Sequence, residues 1–189
     1  MNVYDFDNTI YDGESMLDFF KFYIRRHPSL LRHLPGVLYA FGKYKAGKIT
    51  VNDFMTKYSP EVEKFFSSIP DFHADAVRFW DTHMHKIKPF YAEIQKEDDL
   101  IITGSPEASM KVICERLGIK NYMGSQFDEK TGKITRFCIR SQKIKAFFET
   151  YPEGKIDDFY TDSPENDQPL IDIATRAFVV KGDKITQIK

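Results

Sequence analysis

Cysteines and long apolar runs are both scarce in this chain of 189 residues. The two cysteines, Cys114 and Cys138, are too few and too scattered for a disulfide framework or a zinc ribbon, so we expect a reducing, cytoplasmic environment. The most apolar stretch, residues 30–41, contains an arginine, a histidine and a proline and is too short to span a bilayer. No basic segment followed by an apolar one begins the chain, so we expect no signal peptide and a water-soluble protein.

Net charge is also nearly absent, because 27 lysines and arginines face 28 aspartates and glutamates. This balance argues against a polybasic arm, and we expect no nucleic-acid partner. The charge is unevenly placed, however: residues 21–57 hold eight basic side chains and one acid, a formal charge of +7. A basic segment of this kind suits an anionic ligand or a weak contact with an anionic membrane surface.

The order of apolar and polar residues indicates an α/β protein. A short strand is expected at Met1–Phe6, helices from Glu14 to about Lys86, and alternating strands and helices after Pro89. Strands that alternate with helices predict a doubly wound parallel sheet. The later strands are expected at 99–103, 122–127, 134–140, 156–161 and 177–180, and the helices between them at 106–117, 142–150 and 167–174.

The helical stretch after the first strand is too long for a single crossover connection. We therefore predict a core domain of residues 1–12 and 89–189, with an inserted all-helical domain of residues 13–88 above the carboxyl edge of the sheet. Within the insert, prolines at 28 and 35 are expected to interrupt the helices, and Thr50 with Asp53 is expected to begin another.

The strongest chemical signal is the segment Asp5-Phe6-Asp7-Asn8-Thr9, which follows the first strand. Two carboxylates at such a turn repel each other unless a proton or a cation lies between them. Oxygen ligands favour a hard divalent ion, Mg²⁺ above all. A second acidic segment, Asp162 to Asp167, follows another strand, and Thr103-Gly104-Ser105 follows a third. The carboxyl ends of parallel strands meet at one edge of the sheet, where such folds bind ligands.

These segments resemble the four motifs of the haloacid dehalogenase (HAD) superfamily, in its phosphoserine-phosphatase-like branch. The first motif is matched by Asp5 to Thr9, the second by Leu100-Ile101-Ile102-Thr103, the third by Lys143, and the fourth by Asp162 and Asp167. The matches occur in the expected order over nearly the whole chain. The resemblance implies a Rossmann-like core with a helical cap, which the predicted insert matches in position and size.

The resemblance also implies a role for each residue. Asp5 would be the nucleophile that forms an aspartyl-phosphate, and Asp7 would act as general acid and then general base. Mg²⁺ would be held by Asp5, Asp7 (through its backbone carbonyl), Asp162 and Asp167. Phosphoryl oxygens would be bound by Thr103, by the backbone amides of Gly104 and Ser105, and by Lys143, which would also neutralise developing charge.

Two assignments stay open at this point. Asn166 or Asp167 could complete the metal site, because the acids of the fourth motif are five positions apart. Lys145 could replace Lys143, but residues two apart on a helix point in different directions, so both cannot face one site.

The predicted function is a Mg²⁺-dependent phosphomonoester hydrolase that acts through an aspartyl-phosphate. Its substrate is expected to be a small anionic ester, either a phosphoserine-like metabolite or a lipid head-group phosphate. One alternative is phosphoryl transfer to an acceptor other than water, and another is a non-catalytic phosphate-binding protein of the same fold. A receiver-type signalling domain fits less well, since it would not carry its phosphorylated aspartate on the first strand or a long helical insert.

Overall fold

The structure is a computed structural model that describes residues 1–28, 31, 34–46, 48, 50, 53, 57 and 59–189. For residues 34, 37, 40, 41, 44, 45 and 61 it describes the backbone alone. No helix among these residues is both long enough and apolar enough to cross a membrane.

One sheet of seven strands organises the chain, in the order β4-β3-β2-β1-β5-β6-β7. The five strands β3, β2, β1, β5 and β6 are parallel to one another, and the edge strands β4 and β7 are antiparallel to β3 and β6. The predicted doubly wound α/β fold is therefore confirmed. The strands are β1 (Val3–Tyr4), β2 (Leu100–Pro106), β3 (Asn121–Phe127), β4 (Ile134–Arg136), β5 (Ile156–Thr161), β6 (Ala174–Lys181) and β7 (Lys184–Gln187).

Helices occupy the insert between β1 and β2 and the connections between later strands. In the insert they are α1 (Ser15–Arg26), α2 (Leu34–Lys45), α3 (Ser59–Ser67) and α4 (Phe72–His83), followed by a 3₁₀ turn (Met84–Lys86). The later ones are α5 (Pro89–Ile94), α6 (Glu107–Leu117), α7 (Ser141–Thr150) and α8 (Pro164–Ile173).

The two ends of the insert are joined to each other by backbone hydrogen bonds. The amide of Asp12 donates to the carbonyl of Lys86 at 2.7 Å, and the amide of Lys88 donates to the carbonyl of Ile10 at 2.8 Å. The chain segments that lead into and out of the insert therefore lie side by side. The domain boundaries at residues 12 and 88 stay a prediction.

Some local expectations were wrong. The proline at position 35 does not interrupt a helix, because α2 runs through it. Pro35 is the second residue of α2, where the backbone amide has no helical partner and its loss is harmless. Pro106 lies at the end of β2 and caps α6 rather than beginning it, and α8 begins three residues earlier than expected.

Other local signals were correct. Thr50 and Asp53 form the predicted capping box, in which the amide of each residue donates to the side chain of the other. Residues 51, 52, 54–56 and 58 lie outside the described part of the chain. Gly118 ends α6 in the left-handed conformation with φ 71°.

Aromatic side chains form much of the core. Between the sheet and the insert, Phe6 and Tyr11 both contact Trp80, whose indole nitrogen donates to Ser109 on α6. The insert is therefore held against the core by buried apolar packing as well as by its two connections. Cys114 and Cys138 are buried and unpaired, as small apolar residues of the core.

Candidate active site

A pocket of about 380 Å³ lies at the carboxyl edge of the sheet. Its walls come from the segments that follow β1 and β5, from Gly104 in β2 and from the start of α7. Four of the predicted carboxylates and the predicted lysine line it together: Asp5, Asp7, Asp162, Asp167 and Lys143. Residues far apart in the sequence thus meet where parallel strands end, which is where such sheets bind ligands.

The turn after β1 projects the first two carboxylates into this pocket. Asn8 has a positive φ of 57°, and the amides of the next three residues all donate to the carbonyl of Phe6. The buried Lys88 donates from its ammonium to the carbonyl of Asn8 at 2.6 Å and to that of Gly182 at 3.0 Å. The turn is therefore fixed from inside by a lysine at the end of the insert.

Lys143 lies between two carboxylates. Its ammonium nitrogen is 2.8 Å from an oxygen of Asp5 and 2.9 Å from an oxygen of Asp167. Burial lowers the pKa of Lys143, but the two carboxylates outweigh this effect, and the net shift is upward. The ammonium consequently keeps its proton near neutral pH. Lys145, the alternative from the sequence, is exposed and turned away from the pocket.

Asp5 is almost completely buried beside this ammonium. Burial raises the pKa of the Asp5 carboxyl, the charge of Lys143 opposes the rise, and the neighbouring acids Asp167 and Asp162 add to it. Burial likewise raises the pKa of Asp162. The pocket thus holds more negative charge than Lys143 alone offsets.

Asp7 is held by two serines rather than by a cation. One carboxylate oxygen accepts from the amide of Ser15 at 2.7 Å, and the other accepts from the hydroxyl of Ser105 at 2.9 Å. The two hydroxyls are 3.0 Å apart. Burial raises the pKa of Asp7, and these hydrogen bonds lower it, with a net upward shift. A carboxyl of this kind can hold and release a proton closer to neutrality than an exposed aspartate can.

Thr103, Gly104 and Ser105 lie near the carboxyl end of β2 and contact one another and Asp7. Gly104 lines the pocket, whereas Thr103 and Ser105 are buried beneath it. The amide of Ser105 donates to the hydroxyl of Thr103 at 3.1 Å, and the Ser105 hydroxyl faces Asp7. In this arrangement these hydrogen bonds stabilise the backbone at the end of β2 and orient the carboxylate of Asp7.

The acidic segment after β5 brings both candidate residues to the pocket. Asp167 is buried and accepts from the hydroxyl of Thr161 at 2.7 Å as well as from Lys143. Asn166 also lines the pocket, but its amide group donates to the hydroxyl of Ser163 at 2.7 Å. Among the described residues, no three histidine, cysteine, aspartate or glutamate side chains are arranged to hold a metal ion.

Three further residues at the site had no place in the sequence interpretation. Glu14 and Arg140 line the pocket, and Ser15 donates its backbone amide to Asp7. Arg140 has a positive φ of 48° and precedes α7, so the turn before Lys143 brings a second cation to the pocket. Because Arg140 is only three positions before Lys143, the sequence could have suggested that it lies near the pocket. Its positive φ could not have been predicted, since arginine rarely adopts this conformation.

The chain resembles a known protein family in sequence and several solved structures in fold. A family model described as haloacid dehalogenase-like hydrolase matches residues 3–172. No curated protein has a significantly similar sequence.

Solved structures with the same fold share little sequence with this chain. A protein of unknown function from Bordetella pertussis Tohama I has a TM-score of 0.73 at 16% identity, over 94% of this chain and 87% of its own. A phosphoserine phosphohydrolase-like protein from Francisella tularensis subsp. tularensis SCHU S4 has a TM-score of 0.60 at 16% identity, over 94% and 86%. A HAD family hydrolase from Salmonella enterica subsp. enterica serovar Typhi has a TM-score of 0.61 at 14% identity, over 91% and 58%.

Proposed function

The chain belongs to the family of haloacid dehalogenase-like hydrolases, and from this we propose that it is a phosphatase that hydrolyses small phosphate monoesters through an aspartyl-phosphate. The observation that carries the proposal is the position of Lys143. Its ammonium contacts Asp5, which lies 138 positions away in the sequence, and Asp167, which lies 24 away. The contacts join the first, third and fourth motifs in one pocket.

Asp5 is the proposed nucleophile. A carboxylate that attacks phosphorus needs to be ionised. Burial and the neighbouring acids raise the pKa of Asp5, and the protonated amine of Lys143 at 2.8 Å opposes this rise by favouring the charged form. When one carboxylate oxygen forms the bond to phosphorus, the ester oxygen leaves with the bonding electrons. The fixed charge of Lys143 then offsets the negative charge on the phosphoryl oxygens.

Asp7 is the proposed proton donor to the leaving oxygen. Its hydrogen bonds with Ser15 and Ser105 hold the carboxyl group in one orientation. After the alcohol has left, the ionised Asp7 can take a proton from the water that hydrolyses the aspartyl-phosphate. Thr103 and the backbone amides of Gly104 and Ser105 are proposed to bind phosphoryl oxygens, which for Ser105 requires its amide to leave the Thr103 hydroxyl.

The donors in the pocket fit Mg²⁺ by their chemistry. Phosphatases of this superfamily generally use Mg²⁺, and here carboxylate oxygens of Asp5 and Asp162, with the carbonyl of Asp7, are the hard ligands that the ion prefers. Asp167 or Asn166 would complete the set. The ion, when bound, would supply positive charge that reduces the repulsion between the nucleophile and the phosphate.

Release of inorganic phosphate tests the proposal. Wild-type protein, Asp5→Asn and the control Asp12→Asn, an exposed aspartate seven positions away, should be compared on p-nitrophenyl phosphate, phosphoserine and glycerol phosphate. We expect turnover by the wild type and the control with Mg²⁺, and loss of at least a thousandfold with chelator or in Asp5→Asn, because the nucleophile has no substitute. Circular dichroism should show that Asp5→Asn remains folded.

No turnover by a folded wild-type protein would contradict hydrolysis. Adding alcohols as acceptors would then test phosphoryl transfer. Calorimetry with inorganic phosphate would test a binding role.

A further inference from the structure

An apolar cavity of about 360 Å³ adjoins the catalytic pocket. It lies between the helical insert and the core, in the size range of small-molecule sites. Residues of α1, α2 and α3 form one wall and side chains from β3, β4 and the segment after β4 form the other, among them Met16, Phe20, Phe66, Phe127, Ile134 and Ile139.

The catalytic pocket and the apolar cavity adjoin each other at shared residues. Asp7, Glu14, Gly104 and Ile139 line both of them. A phosphate placed beside Asp5 would therefore have its ester oxygen near Asp7, and the rest of the alcohol would extend past Asp7 into the apolar cavity. The cavity is thus in the right place to bind the leaving group.

The catalytic pocket and the apolar cavity differ in the charged residues that line them. Arg140 and Lys143 line the catalytic pocket, where the phosphate belongs. Among the described residues that line the apolar cavity, none is basic, and the two charged ones, Asp7 and Glu14, are acidic. A leaving group with a carboxylate, such as that of phosphoserine, would lose water there without gaining a cation, which is unfavourable.

We propose that the substrate is a phosphate monoester of an uncharged, apolar alcohol, whose hydrocarbon part is bound in this cavity. The inference rests on the proposed phosphatase function and specifies its substrate class. Because transfer of hydrocarbon from water into such a cavity is favourable for every added methylene, chain length should govern the rate at low substrate concentration.

A series of n-alkyl phosphates tests this directly. Ethyl, butyl and hexyl phosphate have leaving alcohols of similar acidity, so the chemistry stays constant while the apolar area grows. We expect kcat/KM to rise about threefold for each methylene, roughly a hundredfold from ethyl to hexyl. Phosphoserine should be hydrolysed at least ten times less efficiently than butyl phosphate. A flat series, or phosphoserine as the better substrate, would overturn the inference.

A pair of matched variants tests whether the hydrocarbon part of the substrate binds in this cavity. Leu17 and Ile173 are both leucine-sized residues with 37% exposure, but only Leu17 lines the cavity. Leu17→Gln should lower kcat/KM for hexyl phosphate about fivefold more than kcat/KM for ethyl phosphate. Ile173→Gln should change neither. Equal effects of the two variants, or an equal loss for both esters in Leu17→Gln, would place the hydrocarbon elsewhere and overturn the inference.

Failure of the proposed function can be recognised separately. If no ester, including p-nitrophenyl phosphate, releases phosphate, then the phosphatase proposal fails whatever the cavity binds. Calorimetry on Asp5→Asn protein with ethyl and hexyl phosphate still decides the substrate class. Tighter binding of hexyl phosphate, weakened by a second substitution Leu17→Gln, supports the apolar cavity, and equal binding of the two esters overturns it.

Discussion

The carboxyl of Asp99 lies buried at the amino end of β2, at the opposite edge of the sheet from the active site. One of its oxygens accepts from the amide of Lys96 at 2.8 Å, and the other has no hydrogen-bond partner among the described residues. Burial raises the pKa of Asp99 to about 6, with a further contribution from the charge of Asp98. An ionised Asp99 therefore destabilises the folded state.

This raised pKa predicts a specific dependence of stability on pH. Between about pH 4 and 6 the folded protein binds more protons at Asp99 than the unfolded chain does, so the free energy of unfolding falls as the pH rises. Asp99→Asn removes the charge and keeps an acceptor for Lys96. We expect it to raise the free energy of unfolding at pH 7 by about 2 kcal/mol and to have little effect at pH 4.

Urea denaturation at the two pH values measures this difference. Asp12→Asn is the control, because it makes the same chemical change on an exposed aspartate that does not contribute to the pKa of Asp99. If Asp99→Asn has the same effect at pH 4 as at pH 7, ionisation of Asp99 is not the cause.

At the scale of elements, the turn between β3 and β4 touches the helical insert. Gly132 in this turn has φ 71°, and a Cβ atom there would lie 2.1 Å from the carbonyl oxygen of Glu63 and 2.6 Å from the amide of Ser67 on α3. The amide of Ile134 also donates to the side chain of Glu63 at 3.3 Å. The backbone of the β3–β4 turn therefore packs directly against the backbone of α3 on this side of the apolar cavity.

Gly132→Ala and Gly118→Ala form a matched pair. Both glycines have φ 71°, but a Cβ at Gly118 meets nothing within 4 Å. Gly118→Ala should lower the free energy of unfolding by about 1 kcal/mol, the cost of the left-handed conformation alone. Gly132→Ala adds a backbone clash that only movement of α3 relieves, so we expect a loss of about 2 kcal/mol or more. Equal losses in urea denaturation would mean that α3 does not pack on this turn in solution.

Elements were predictable where one local signal determined them. The predicted bounds of β5 match the observed ones, because its β-prone residues Phe159, Tyr160 and Thr161 lie between Gly154 and the acidic segment that begins at Asp162. The proline at 35 and the start of α8 were placed wrongly. In both cases a proline indicates a helix boundary in the sequence, but the sequence does not show whether the helix ends before the proline or begins at it. The packing of the helix in the fold determines which of the two occurs.

At the scale of the whole molecule, the acidic pocket should make stability depend on Mg²⁺. An ion that binds only the folded state raises the free energy of unfolding by about 2.7 kcal/mol at a hundred times its Kd. For a chain of this length we therefore expect a rise in Tm of about 5 to 10 °C. Calorimetric scans with and without the ion measure it.

Substitution of single aspartates locates the effect. Asp162→Asn removes a proposed ligand, and Asp172→Asn removes the same charge from an exposed position on α8. We expect the shift in Tm to be largely lost in the first variant and kept in the second. An equal shift in both would indicate that Mg²⁺ does not bind through Asp162.

The sequence by itself determined the α/β class, the presence of a helical insert and the family, because strand and helix periodicity and short motifs are local properties of the chain. It also indicated that Asp5, Asp7, Lys143 and Asp162 belong together, since each follows or adjoins a predicted strand end. Only the tertiary structure decided that Lys143 rather than Lys145 faces the acids.

The tertiary structure alone also joined an apolar cavity to the catalytic pocket. The cavity is built from α1, α2, α3 and the β3–β4 region, which are separated by dozens of residues. In the sequence, each of these segments shows only its own local pattern of apolar residues. Where such faces leave a space between them depends on how insert and core pack, and this is a property of the folded chain that no local pattern encodes.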